Sequence, residues 1–238
     1  MVSPNKRLLT IFFSIETFLF VAIHFLELPL RDGLLHYLSI VVCAMLVLSV
    51  RGSDKELQWT RVAFFFTLAA DWFLTYLQTQ QWLGTMLFLF SQWAYTKRLL
   101  VNETSPIVKI MERIGLTAAF LIVGVWVVGR LDWLMVAALT CYGLHVANAI
   151  DATIRWKTDR WFAVGLWLYV ICDALVGLAA SAGYLTIVPG SFVDGLVHGP
   201  IHWIWVFYLP SQALIAASAV WPSGRGAQSP KQASSSLG

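Results

Sequence analysis

Apolar residues in this chain come in eight runs, at about 8–28, 34–50, 60–79, 83–100, 111–129, 132–150, 161–185 and 199–221. Each run is close to the roughly 17–25 residues that a helix needs to cross the hydrocarbon core of a bilayer. Inside that core each segment must satisfy its own backbone N–H and C=O groups, so such runs commit the chain to helices. The fold class expected is all-α: an integral membrane bundle of eight transmembrane helices over residues 1–221. The joints between runs hold breakers or charge, including Pro29 with Asp32-Gly33, Arg51 to Asp54, Gln78 to Gln81, Asn102 to Pro106, Gly129-Arg130, Arg155 to Arg160 and Pro189-Gly190. Lys6 and Arg7 precede the first run, which ends in Glu27-Leu-Pro-Leu-Arg31 without a small-residue cleavage site, so it reads as a retained span.

Composition agrees. Only 12% of residues are charged and 58% are hydrophobic, whereas a soluble domain carries roughly 25% charged residues. Nothing marks a separate soluble domain. The net charge of +3 sits at the ends of runs and forms no patch, which argues against a nucleic-acid partner. It acts instead as a topology signal. With both termini cytoplasmic, fourteen of the 16 Lys and Arg residues fall inside, leaving only Arg31 and Arg130 outside. On this topology the Asn102-Glu-Thr sequon lies inside and is not read as a glycosylation site. Trp82, Trp133, Trp203 and Trp221 fall near run ends, as in an interfacial aromatic belt. The tail 222–238, rich in Ser, Gly and Gln, reads as a disordered cytoplasmic end. Cys43, Cys141 and Cys172 lie far apart in apolar runs and read as small buried hydrophobes.

Carboxylates inside such runs are the exceptions. An ionisable group at mid-bilayer costs a few kcal/mol and is kept facing the bundle interior or a functional pathway. Glu16, Asp71 and Asp173 sit well within runs, Asp151 at the inner end of the sixth and Glu27 at the outer end of the first. Asp71 and Asp173 lie about 11 and 12 residues into runs three and seven, which puts both at roughly 17–18 Å depth at about 1.5 Å per residue. Thr67, Thr75 and Gln78 make a polar stripe around Asp71. Gly165, Tyr169, Gly177 and Ser181 make a thin one around Asp173, where small residues permit close helix approach. Ser91-Gln92 and Ser211-Gln212 follow the two aspartates in the next runs, a faint echo of duplication between the two four-helix halves.

Several stretches are similar to the YhhN family of lysoplasmalogenases. They are Asp71-Trp-Phe-Leu, Gly84 and Leu89-Phe-Ser-Gln-Trp-Ala-Tyr95; then Tyr142 through Asn148 to Gly165 and Ile171-Cys-Asp173-Ala-Leu; then Tyr208-Leu-Pro-Ser-Gln212-Ala-Leu-Ile215. The likeness covers about residues 60–220, and eight spans fit the family. There are departures: Ala70 stands for the Gly before the first Asp, Gln92 for a His and Cys172 for a Ser, and a Lys-Pro pair near span two is missing. The resemblance implies cleavage of the vinyl-ether bond of a lysoplasmalogen, a lysophospholipid-like substrate drawn from membrane lipids. The products are a fatty aldehyde and a glycerophospho head-group product.

That chemistry suits two carboxyls independently of the resemblance. Protonation at carbon and water addition to the oxocarbenium ion need an acid and a base, and two carboxyls in a low-dielectric site divide those roles. Asp71 and Asp173 are the expected catalytic pair, with no cofactor or metal. Gln92, Tyr95, Asn148, Tyr169, Tyr208 and Gln212 are expected to orient water or substrate, or to form structural interhelical bonds. No protein partner is inferred, and the location expected is a cell membrane, the inner one if bacterial.

Two other classes compete. His198-Gly-Pro-Ile-His202, with His24, His36, Glu27, Asp32 and Asp194 on the same side, offers ligands for a zinc-dependent intramembrane hydrolase. Pro200 is expected to start the last helix, which would leave His198 off the helical face. A proton-coupled carrier would use the buried Asp residues with Glu16 and His145 as relays.

Overall fold

A computed structural model describes residues 6–26, 33–101, 103–129, 131–181, 187–199 and 201–220. The expectations for Glu27, Arg31, Asp32, Asn102, Arg130, Pro200, Trp221 and the tail 222–238 lie outside these residues. The described chain is helical and holds no strand. Its helices are α1 (Lys6–Phe25), α2 (Leu34–Ser49), α3 (Lys55–Asp71), α4 (Gln81–Leu100), α5 (Pro106–Val128), α6 (Trp133–Ile154), α7 (Trp156–Ser181), α8 (Phe192–His198) and α9 (Trp203–Val220). Each of the eight apolar runs coincides with one long helix, and α8 is a short addition.

The helix ends follow local chemistry. Asp54 caps α3 by accepting from the Leu57 N–H at 3.1 Å, so α3 begins about a turn before the apolar run does. Asp132 caps α6 through the Met135 N–H at 2.8 Å. Asp159 leaves helical geometry (φ −149°) and its carboxylate accepts from the Phe162 N–H at 3.4 Å, which restarts α7 at the apolar run. Gln78 and Gln80 both take left-handed backbone (φ 54° and 53°), and this is how α3 and α4 reverse within three residues. The last run starts later than expected. Gly199 ends α8 and α9 opens at Trp203, with His202 still outside it.

Five helices are long and apolar enough to cross a membrane: α1, α5, α6, α7 and α9. The apolar α2 is shorter, at 16 residues. The polar content of α3 and α4 points into the protein: Thr60, Thr67 and Asp71 on α3, and Ser91, Gln92, Thr96 and Arg98 on α4, are all buried. Apolar side chains such as Phe65 and Phe90 face outward on the same helices. Such inside-out polarity is expected where lipid is the solvent and the bundle interior is the polar phase.

Packing closes six of these helices into a ring, in the order α2, α3, α4, α6, α7, α9 and back to α2. α1 lies against α2 and α9 outside the ring, and α5 packs on α6, burying little besides Arg113. The tightest joint, α7 with α9, depends on Gly165. A Cβ there would meet Ile215 Cγ1 at 2.7 Å and the Ser211 carbonyl oxygen at 3.0 Å. Gly177, on the exposed side of α7, has nothing within 4 Å. Gly165→Leu is therefore predicted to cost about 1–3 kcal/mol or more through overpacking. Thermal unfolding in detergent should show a lowered midpoint for Gly165→Leu and an unchanged one for Gly177→Leu.

Candidate functional site

The centre of the ring collects the buried polar side chains at three levels. At the first, Asp71 ends the α-helical part of α3, and the chain continues into a π-helical turn over Trp72–Leu77. Such a turn widens the helix and recurs at functional sites. Here it accompanies a hydroxyl one turn on that returns to the carboxylate: Thr75 Oγ1 donates to Asp71 Oδ1 at 3.2 Å. Tyr208 on α9 donates to Asp71 Oδ2 at 2.5 Å. Asp71 is 2% exposed, and two hydroxyl donors from two helices satisfy one oxygen each. A carboxylate that accepts two such bonds is held in one geometry at low dielectric.

Asp173 comes to the same region by another route. Its Oδ2 pairs with His145 Nδ1 on α6 at 2.7 Å, and its side chain is 24% exposed. The two carboxyls share no hydrogen bond among the described residues. They are joined through side chains: the His145 ring stands edge-on to Tyr169 at 4.1 Å between centroids, and Tyr169 to Tyr208 at 5.3 Å. The line runs from Asp71 on α3 through Tyr208 on α9 and Tyr169 on α7 to His145 on α6, and returns to α7 at Asp173, one turn from Tyr169. Phe88 and Trp205 wall it on Tyr208, at 6.4 and 5.5 Å.

His145 was visible to sequence reading only as a possible relay. Its position on α6, three residues before Asn148, gave no sign that it pairs with Asp173. Its ring is wholly buried, and its second nitrogen, Nε2, has no hydrogen-bond partner among the described residues. A buried imidazole with one nitrogen on a carboxylate and the other unpaired is poised to give or take a proton.

One turn deeper lie Gln92, Asn148 and Gln212, all wholly buried. Asn148 Nδ2 donates to the Gln92 carbonyl at 3.0 Å and to its Oε1 at 3.4 Å. Asn148 Oδ1 accepts from Thr96 at 2.9 Å and from Arg113 Nη2 at 3.1 Å. Asn148 therefore spends its amide on joining α4, α5 and α6. Tyr95 is buried beside the Thr67–Ser91 hydroxyl pair, which bridges α3 and α4 at 2.8 Å. Six of the eight expected residues thus line this centre or the level below it, while Asn148 and Tyr95 face its structural joints. The stripe foreseen around Asp71 divides likewise: Thr75 serves the carboxylate and Thr67 the helix joint.

The third level is ionic. Arg98 contacts Asp159 at 2.5 Å and Ser218 at 3.1 Å, with its guanidinium 3.7 Å from the centre of the Phe162 ring. Arg113 contacts Asp151 at 2.6 Å, and Lys109 reaches the other Asp151 oxygen at 2.9 Å. These pairs tie the helix ends on the side that the charge pattern assigns to the cytoplasm.

Among the described residues no three His, Cys, Asp or Glu side chains come together as a metal site requires. His198 pairs with Asp194 at 2.7 Å on the exposed face of α8. The Gly190 N–H and that histidine hold the Asp194 carboxyl below the usual carboxylate range. His36 lies instead against Trp205, at 4.0 Å between rings.

A model of the YhhN family matches residues 33–219, which includes every ring helix and leaves out α1. The chain belongs to the YhhN family. Neither the curated proteins nor the solved structures contain a match. Family membership and the long apolar helices make it a multi-pass membrane protein.

Tyr208→Phe leaves one Asp71 oxygen without its donor, and is predicted to destabilise the protein by about 1–3 kcal/mol. Adding Asp71→Leu should recover part of that loss, so the two substitutions couple in a thermal-unfolding double-mutant cycle. Simple additivity would show that the bond carries no energy.

Proposed function

We propose that this chain is an intramembrane lysoplasmalogenase. It would hydrolyse the vinyl-ether bond of a lysolipid to a fatty aldehyde and a glycerophospho product. The observation that carries this reading is the line of contacts from the buried Asp71 through Tyr208, Tyr169 and His145 to the partly exposed Asp173, in a chain of the YhhN family. All eight long helices cross the bilayer in this reading, α2 and the less apolar α3 and α4 being carried by their neighbours in the ring. Both termini are cytoplasmic.

The two carboxyls have different companions, and this divides their roles. Asp173 with His145 holds the mobile proton, since both can carry it and Nε2 is unpaired. The pair protonates the vinyl carbon remote from oxygen, leaving an oxocarbenium ion. Asp71, ordered by two hydroxyl donors, faces that cation and accepts a proton as water adds to it. The resulting hemiacetal breaks its bond to the glycerol oxygen, releasing aldehyde and alcohol. One water is consumed, and the proton returns to the pair. Tyr169 and Tyr208 fix the two groups relative to each other.

Aldehyde release from a lysoplasmalogen by purified protein in detergent tests the reading. Asp71→Asn and Asp173→Asn are each predicted to lower the rate at least about a thousandfold while the protein stays monodisperse. Chelators should leave it unchanged. Normal turnover in either variant would rule the pair out. Flux of an unaltered solute into sealed vesicles would favour the carrier, and chelator loss with metal rescue the zinc enzyme.

A further inference from the structure

α4 and α9 stand opposite each other in the ring and pack little backbone to backbone. Side chains bridge the gap at two levels. Phe88 meets Tyr208 at 6.4 Å between rings, and Arg98 meets Ser218 at 3.1 Å, each pair separated by 120 residues. A constant offset means that the two helices run in the same direction in register. Gln92 and Gln212 stand in that same register, one turn from Phe88 and Tyr208. Pro210 on α9 falls between Tyr208 and Gln212 and removes one backbone hydrogen bond there.

Both glutamines are wholly buried, and three of their four amide atoms have no hydrogen-bond partner among the described residues: Gln92 Nε2, Gln212 Nε2 and Gln212 Oε1. The fourth, Gln92 Oε1, is taken by Asn148, which leaves the Gln92 amide with donors only. Leaving buried amide atoms unpaired costs about 1–3 kcal/mol each, and native proteins keep few such groups without a functional reason. The unpaired set is two amide NH2 groups and one amide oxygen, all neutral. That set matches a hydroxyl, which can donate to Gln212 Oε1 and accept from an amide N–H. It does not match a phosphate, which wants cations, or an acyl ester, which has no proton to give.

We propose that Gln92 and Gln212 form the subsite that reads the free 2-hydroxyl of the lysolipid glycerol. One helical turn, about 5.4 Å, separates them from the Asp71–Tyr208 level. The bonds from the protonated vinyl carbon to the 2-hydroxyl oxygen cover a similar length. The head group then points along α4 and α9 toward Arg98. The inference rests on the lysolipid reading of the site but not on turnover, because it concerns binding. These are positioning and specificity residues, not catalytic ones.

The test is binding of a saturated alkyl-ether lysophospholipid, which the reaction cannot cleave, against its 2-deoxy analogue. The wild-type chain is expected to prefer the 2-hydroxy lipid by about 10- to 100-fold, as two buried hydrogen bonds warrant. Gln212→Met and Gln92→Met should shrink the preference to about threefold or less, mainly by weakening the 2-hydroxy lipid. The thermal midpoint of Gln212→Met should not fall, because it removes only unpaired buried polar atoms, whereas Gln92→Met also gives up the Asn148 bond and is read by its lipid preference alone. A merely structural role predicts the opposite pair of results: a lowered midpoint for Gln212→Met, with both lipids affected alike in either variant. Equal binding of the two lipids by the wild-type chain overturns the proposal whatever the variants do. Preference for the hydroxyl without any aldehyde release would keep the subsite and remove the hydrolase.

Discussion

The bilayer removes water as a partner for polar groups, and the rest of this structure follows from that constraint. A carboxylate, amide or guanidinium within an apolar helix has to find its partner on another helix. The ring of α2, α3, α4, α6, α7 and α9 is the arrangement that lets them do so. Asp71 takes hydroxyls from its own helix and from α9, and Asp173 takes an imidazole from α6. Asn148 ties α4, α5 and α6 together. Glu16, on the helix outside the family match, does the same on a smaller scale, accepting from Ser39 at 2.5 Å and lying 3.6 Å from Cys43 Sγ. Small residues do the complementary work: with no hydrophobic drive between helices in lipid, close backbone approach at Gly165 supplies packing instead.

The interior polar groups sort by depth, and that order gives the site its direction. Ion pairs occupy the level near one set of helix ends, where Arg98 meets Asp159 and Arg113 meets Asp151. Neutral amides lie above them, and then the carboxylate–tyrosine–imidazole line. An amphiphile with a charged head, a polyol neck and an apolar tail presents the same order along its length. The π-helical turn after Asp71 ends the sequence, giving way to the aromatic cluster of Tyr37, Trp72 and Tyr76.

Much of the architecture was legible because membrane helices must be long and apolar. All eight runs became helices; caps such as Asp54 extended some beyond the apolar stretch, and the last began later than its run, at Trp203. Asp71 and Asp173 stood out because charge inside such runs is costly. What could not be read was pairing. Equal depth made a shared site of the two carboxyls the natural expectation, yet depth says nothing of azimuth: Asp71 pairs with Tyr208, Asp173 pairs with His145, and Tyr169 touches both partners. His145 was legible only as a relay for a carrier, because a lone histidine in an apolar helix has many structural uses. Asn148 looked like a substrate contact for the same reason, since its amide partners lie on helices far away in sequence. The closing of α4 toward α9 in register was equally invisible, although the paired Ser-Gln steps marked both sides of that gap.

An experimental structure with a saturated alkyl-ether lysolipid bound tests the central claim most directly. The account places the ether oxygen at the centre of the ring, within hydrogen-bond reach of Tyr208 or His145 and flanked by Asp71 and Asp173, with the phosphate toward Arg98. A lipid lying along the outer surface of α1 or α5, with that centre untouched, would contradict it.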